Sequence, residues 1–225
     1  MSAADSPGAD AMGRAVQFFF EFSSPYSYIA AEQIDALAQR HGFAVDWKPV
    51  LLGALFKATG GAPLTLLHPW KAQYYLMDFA RSAQAAGLPY RHPSKFPQSA
   101  QNAARAVLWL KSTQPQAAVP FAREVYREIF VHDGDASDPA MLARVATAQG
   151  LNADALAAAV QDPAVKQQLV RANEEAAALQ IFGAPTFVLD GERFWGADRL
   201  GQLEQRLGEG ARRPGVGPLP GHAGA

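Results

Sequence analysis

Four consecutive residues, Ser24-Pro25-Tyr26-Ser27, set two hydroxyls three positions apart around a proline and a phenol. A serine just ahead of a proline suits a helix start, where the proline's missing N–H costs nothing. Its oxygen can cap that helix, and position alone favours this role. Its hydroxyl can also donate to an anion held by the free N–H groups and partial positive charge of the helix start. A Ser-His-Asp triad has little support, because the Gly-x-Ser-x-Gly elbow is missing. The histidines His41, His68, His92, His132 and His222 show no pairing spacing.

Two later segments could complete a ligand site. In Gly183-Ala184-Pro185-Thr186 the proline precedes an extended run. It either opens an edge strand or forms a cis bond that turns the preceding backbone groups toward an extended ligand. In Trp195-Gly196-Ala197-Asp198-Arg199, Asp198 reads most simply as the cap of a following helix. The same helix start could instead grip a zwitterion, its N–H groups taking a carboxylate and Asp198 an ammonium. Lys48, Lys57, Arg81 and Arg105 could meet an acidic substrate, although each also reads as a solvated charge. His92 and Asp133 lack partners at ligand spacing, so no metal site is expected. No Gly-x-Gly-x-x-Gly follows a strand, and Gly60-Gly61 has no Lys-Ser/Thr after it. Neither a dinucleotide site nor a phosphate loop is indicated.

The elements around these residues follow from periodicity. The run Val16-Gln17-Phe18-Phe19-Phe20-Glu21-Phe22 alternates, and Phe19 on the second face implies a strand covered on both sides. Ser24 and Pro25 then open a helix with Ala30, Ile34, Leu37 and Ala38 on one face, ending at Gly42. A second strand over 43–50 completes a βαβ unit with a right-handed crossover. Residues 58–161 are helical in pattern, with helices expected over 70–86, 100–110, 120–130, 139–149 and 152–160. Another runs over 163–180, capped by Asp162. Strands resume at 186–189, Asp190-Gly191 makes a hairpin turn, and 193–195 return. A last helix carries Leu200, Leu203 and Leu207. Strands that are interrupted and then resumed make one α/β domain with a helical insertion, not two domains in series.

Composition narrows the function. Hydrophobic residues make up 49% and charged residues 18% of 225, enough for a sizeable core and too apolar for a disordered chain. The net charge of -1, with no basic run, argues against nucleic acid. No apolar stretch approaches the roughly 20 residues of a membrane span. The chain has no cysteine, which excludes disulfides, thiolate zinc sites, iron–sulfur ligation and every cysteine-based redox mechanism of its own. Residues 1–13 carry no export-type signal and are expected to be disordered, and 208–225 to form a mobile tail, so a cytoplasmic location is the default.

These segments together resemble the DsbA-like branch of the thioredoxin superfamily, in which a helical domain is inserted into a thioredoxin fold and Cys-Pro-x-Cys opens the first helix. Here that motif is Ser24-Pro25-Tyr26-Ser27. Serine in place of both cysteines is similar to the kappa-class glutathione transferases and the 2-hydroxychromene-2-carboxylate isomerases. So are the strings Phe20 to Tyr28, Lys48-Pro49-x-Leu-Leu-Gly, Phe182-Gly183-x-Pro185-Thr186 and Trp195-Gly196-x-Asp198-Arg199. Glu21 stands where that group commonly has Asp, a minor change. The resemblance implies a thioredoxin-like domain over 14–57 and 162–207 and an inserted helical domain over 58–161.

It also implies glutathione as cofactor. Ser24 would lie beside the glutathione sulfur, with Pro25 and Tyr26 lining the peptide. The Ala184 backbone, held by a cis Pro185, would pair with the cysteinyl part, and Ala197 and Asp198 would bind the γ-glutamyl end. Lys48 could meet a substrate carboxylate. Gly61 replaces an Asn often found in kappa-class members, and that contact is not carried over. Ser24 then acts as an activator of the thiolate, not as a covalent nucleophile. The implied reaction opens the chromene ring by thiolate addition, rotates a carbon–carbon bond and eliminates the thiol. The expectation is therefore a glutathione-dependent isomerase of 2-hydroxychromene-2-carboxylate in aromatic catabolism, acting as a homodimer. A glutathione transferase and a non-catalytic thioredoxin-fold binding module are the alternatives.

Overall fold

The computed structural model describes residues 15–63, 66 and 68–209. The expectations for 1–13, 210–225 and His222 lie outside the described residues. Strand β1 (Ala15–Phe20) pairs parallel with β2 (Ala44–Pro49) and antiparallel with β3 (Thr186–Leu189), which pairs in turn with β4 (Glu192–Trp195). The sheet order is β2-β1-β3-β4. The chain thus makes two strands, leaves for a long helical excursion, and returns to the free side of β1. This is the DsbA-like thioredoxin fold with its helical insertion.

Aromatic side chains explain why β1 is central. On one face Phe18 stacks on Phe187 at 5.3 Å and meets the edge of Trp47 at 4.9 Å, and Phe20 and Phe22 continue the cluster to Tyr126. On the other face Phe19 packs with Val50, Leu55, Ala176, Ile181 and Val188. Both faces are covered, as the double-faced apolar run requires. At the turn after β3, Asp190 and Gly191 both have positive φ, 52° and 84°, the geometry an Asp-Gly hairpin turn demands.

The helix expected to run from Ser24 to Gly42 is two helices, α1 (Pro25–Ala31) and α2 (Ile34–Arg40). Side chains take the carbonyls that a continuous ladder would use. Arg123 donates to the Ala31 carbonyl while pairing with Asp35, and the Gln33 amide donates to the Ile29 carbonyl. A helix that the periodicity did not single out, α3 (Leu52–Thr59), follows β2. The excursion contains α4 (Pro69–Ala85), α5 (Gln101–Thr113), α6 (Pro115–Phe130), α7 (Pro139–Ala148) and α8 (Ala153–Ala159), followed by α9 (Pro163–Ala178). Helix α6 starts five residues earlier than expected, with Pro120 inside it. The carbonyl left without its partner belongs to exposed Gln116, which water can satisfy. Asp138, Asn152 and Asp162 cap their helices through side-chain oxygens, as their residue types favour. Helix α10 (Leu200–Gly208) buries Leu200, Leu203 and Leu207.

Candidate active site

The site grows from the turn between β1 and α1. Ser24 is buried and extended, the Ser27 N–H donates to its Oγ at 3.2 Å, and Pro25 is the first helical residue. The Ser24 hydroxyl also donates to the Ala184 carbonyl at 3.2 Å. The capping bond and the contact across the site exist together. The Ala184–Pro185 bond is cis, and the Pro185 carbonyl accepts from Gly196 N–H at 2.9 Å. Ser24, Ala184 and the Trp195-Gly196 turn are thereby tied into one cluster.

Two cavities open on this cluster. One, of about 440 Å³, is bounded by Glu21, Ser23, Ser24, Pro25 and Tyr26 from the strand–helix turn, and by Leu52, Phe56, Phe79, Phe96 and Gln98 from the helices and loops opposite. No basic residue is among its described lining. The other, of about 670 Å³, is bounded by Tyr26, Tyr74, Asp78, Ala197, Asp198 and Arg199 among others. Tyr26 stands between them, its hydroxyl donating to Asp78 Oδ2 at 2.5 Å. The Tyr26 phenol is pushed above its ordinary range by burial and by that carboxylate.

Asp198 does not cap a helix. Ala197–Arg199 is a single 3-10 turn flanked by Gly196, and α10 begins after Arg199 with no side-chain cap. The turn forms because Gly196 has φ 111°, and the Asp198 carboxylate folds back so closely that a Cβ at position 196 would run into it. That carboxylate is largely exposed and pairs with Arg199 at 3.1 Å. A Cβ on Gly183 would likewise strike the indole of Trp195, which lies edge-on to Phe182 at 4.7 Å. Gly196 is held to glycine by its φ of 111°, whereas Gly183 lies against the Trp195 indole, which would have to move for a side chain there.

Lys48 is not brought to either cavity. In register with Phe19, its ammonium is engaged by Glu175 at 2.8 Å and Asp46 at 3.2 Å, so it is already neutralised on the α9 side of the sheet. Arg81 pairs with Asp78 over the Tyr74 ring, and Arg105 bonds Asn102 and the Val160 carbonyl beside a different cavity. His92 accepts or donates to Tyr90 at 2.9 Å between aromatic neighbours, and Asp133 pairs with Arg91. No group of three or more metal-ligating side chains stands together among the described residues. No described helix is long and apolar enough to cross a membrane.

Sequence reasoning missed Glu21 as part of the site. Its carboxyl is buried in the cavity wall, and burial pushes its pKa up to about 8 against a weaker opposing bond from the Ser23 backbone. The available signal was a lone acid inside the apolar run 16–22, three residues before Ser24. The opposite wall had no such signal. Phe96-Pro97-Gln98 is brought in from a loop, with a second cis bond before Pro97 and with Gln98 N–H donating to Ser23 Oγ at 2.9 Å. Gly61 and Ala62 border the same cavity, and the Phe56 ring occupies the space a side chain at Gly61 would need.

Residues 15–208 match the DSBA-like thioredoxin domain. The 2-hydroxychromene-2-carboxylate isomerase of Sphingobium xenophagum is 32% identical over 197 residues, 87% of this chain and 99% of that protein. Glutathione S-transferase kappa 1 of Rattus norvegicus is 26% identical over 219 residues, 92% of this chain and 95% of its own. A solved 2-hydroxychromene-2-carboxylate isomerase superposes with a TM-score of 0.79 at 25% identity, covering 87% of this chain and 95% of that one. The chain therefore belongs to the DsbA-like thioredoxin family, in the group that holds the 2-hydroxychromene-2-carboxylate isomerases and the kappa-class glutathione transferases.

Proposed function

We infer that this protein is a glutathione-dependent isomerase that interconverts 2-hydroxychromene-2-carboxylate and trans-o-hydroxybenzylidenepyruvate. The observation that carries the reading is the Ser24 hydroxyl, held at a helix start beside an apolar cavity and 3.2 Å from the Ala184 carbonyl. The residues present fit glutathione. Ser24 offers a small donor where a thiol would sit, Ala184 offers an extended backbone edge, and the exposed Asp198 carboxylate faces a second cavity able to receive an ammonium. Glutathione, when bound, supplies a sulfur nucleophile that can be added and then eliminated without net oxidation.

The chain's own part is electrostatic. The Ser24 hydroxyl donates a hydrogen bond to the Ala184 carbonyl in the structure, and by rotating that O–H it would donate to a sulfur anion instead. The N–H groups of α1 add a partial positive charge at the same point. A thiol of pKa about 8.5 is only a few per cent ionised at neutral pH, and each unit by which these groups lower it is about 1.4 kcal/mol. The cavity of about 440 Å³ takes the aromatic substrate against Phe56, Phe79 and Phe96.

A second reading, glutathione conjugation to an uncharged electrophile, is favoured by one observation: no basic residue is among the described lining of that cavity. A cytoplasmic homodimer in aromatic catabolism belongs to the proposal. Trp70, Tyr74 and Met77 form an exposed apolar stripe on α4 of the kind that marks contacts between proteins. The purified protein should be assayed with glutathione against the chromene carboxylate and against a chloronitrobenzene. Turnover of the first supports the isomerase, turnover of the second alone supports the transferase, and glutathione that fails to raise the unfolding temperature leaves a binding module.

A further inference from the structure

We propose that Glu21 is the general acid of this site, giving a proton to the substrate bound beside Ser24 and taking it back within the same turnover. The proposal rests on the reading of the site as one for addition and elimination of glutathione. Its basis is where the side chain sits. Glu21 is 7% exposed, and no other carboxyl is among the described residues lining the cavity that also holds Ser24, Phe56 and Phe96. It also borders a second cavity of about 510 Å³ whose lining includes Lys57 and Gln101. Glu21 therefore lines both the cavity that holds Ser24 and a more polar chamber beside it.

The backbone fixes this side chain in place. The Glu21 carbonyl accepts from Ser24 N–H at 3.1 Å and from the Tyr126 hydroxyl at 3.2 Å, while its N–H reaches Ser27 Oγ at 3.4 Å. The titratable groups around it are Tyr126 on α6, Tyr26 on α1 and Lys57 on α3. Tyr126 and Tyr26 are both held well above their usual range, so they stay neutral. Burial keeps Glu21 protonated at neutral pH, with a pKa of about 8. A protonated carboxyl in an apolar pocket is a donor where water is excluded.

The chemistry balances. Once the hemiketal C–O bond has opened, its proton passing to the phenol oxygen, thiol addition to the alkene would break the π bond and displace that electron pair to the ketone oxygen, which would take the Glu21 proton. After rotation about the resulting single bond, elimination of the thiol would return the pair to carbon and the proton to the Glu21 carboxylate. Nothing is oxidised, and protein and glutathione end unchanged.

The test combines infrared spectroscopy with kinetics on the full chain. The wild type at neutral pH should show a protonated-carboxyl band that is absent in Glu21→Gln and that titrates away near pH 8. Glu21→Gln should bind glutathione within about twofold of wild type by calorimetry, yet isomerise the chromene carboxylate about 10²-fold or more slowly. The fall in wild-type turnover above about pH 8 should vanish in the variant, and Glu21→Asp, which keeps a carboxyl in the cavity, should recover part of the rate. A band that titrates in the ordinary carboxylate range, or Glu21→Gln with wild-type turnover and pH profile, overturns the proposal alone. A wild type that binds glutathione and shows the band but leaves the chromene carboxylate untouched overturns the proposed reaction, and Glu21's part in it with it.

Discussion

The Ser24 hydroxyl and the Ala184 carbonyl, 160 residues apart in sequence, meet at 3.2 Å beside the candidate site. The same Ser24 oxygen accepts from Ser27 N–H at 3.2 Å, so one side chain both caps α1 and joins it to the start of β3. The capping bond uses a lone pair and the bond to Ala184 uses the proton. Only the second would have to be given up for an anion, so the helix would keep its cap while the hydroxyl turned.

Ser24→Ala separates these two roles. Loss of the cap should lower stability by about 1 kcal/mol. If the hydroxyl also stabilises the bound sulfur anion, the pKa of bound glutathione should rise, and turnover at neutral pH should fall by about 10²-fold or more, the usual cost of one well-aimed donor. Thiolate absorbance against pH, measured beside turnover per folded molecule, reads both. Unchanged thiol ionisation with wild-type turnover would reduce Ser24 to a cap.

Asp198→Ala carries a different expectation, because this residue caps nothing. Without ligand, the variant should stay within about 0.5 kcal/mol of wild type, since only an exposed pair with Arg199 is lost. Glutathione affinity should weaken by roughly 1–3 kcal/mol if the carboxylate holds its ammonium. Titration calorimetry and urea unfolding on the same sample give the two numbers. Unchanged affinity would remove Asp198 from the site.

What could be read from the sequence was whatever depends on a few adjacent residues. Asp190-Gly191 marked the hairpin because both positions need positive φ, and Asp162 marked α9 because its side chain caps the helix that Pro163 opens. The Phe18–Phe22 run marked a central strand. Ser24-Pro25 marked the candidate site because helix start and hydroxyl coincide. What was hidden depends on partners distant in sequence. The break between α1 and α2 comes from Arg123 on another helix. Asp198 looked like a cap until Gly196 turned the chain at φ 111°. Lys48 looked free until Glu175 on α9 came into reach. Glu21 looked like a conservative change until a loop and two helices closed over it.

Glu21 also predicts how stability depends on pH. Its pKa is raised by burial from 4.5 to about 8, so the folded state holds a proton that the unfolded chain releases. This contribution is fully present below about pH 4.5 and is lost as pH rises toward 8. The stability of the wild type relative to Glu21→Gln should therefore decline across that window and level off above it. Urea midpoints of both proteins, taken through the window, test this. Parallel curves would mean that the carboxyl is solvated in the folded protein.

Tyr26→Phe tests the wall between the two cavities. The phenol lies on both, and its hydroxyl donates to Asp78 on α4 at 2.5 Å, linking the active-site helix to the helical excursion. Removing it leaves a partly buried carboxylate with only a 3.5 Å contact to Ser82 and a 3.8 Å one to exposed Arg81. A bond to a charged acceptor contributes about 1.5–3 kcal/mol when fully desolvated, and partial exposure of Asp78 puts the expected loss at the lower end. Asp78→Asn keeps an acceptor for the same hydroxyl and should cost less. If glutathione runs from Asp198 past Tyr26 to Ser24, the ring matters for its binding more than the hydroxyl does. Tyr26→Phe should then keep its affinity, while Tyr26→Ala, which merges the cavities, should weaken it at least tenfold. Equal affinities for the two variants would mean that the peptide does not cross this wall, and the assignment of its two ends to separate cavities would fall.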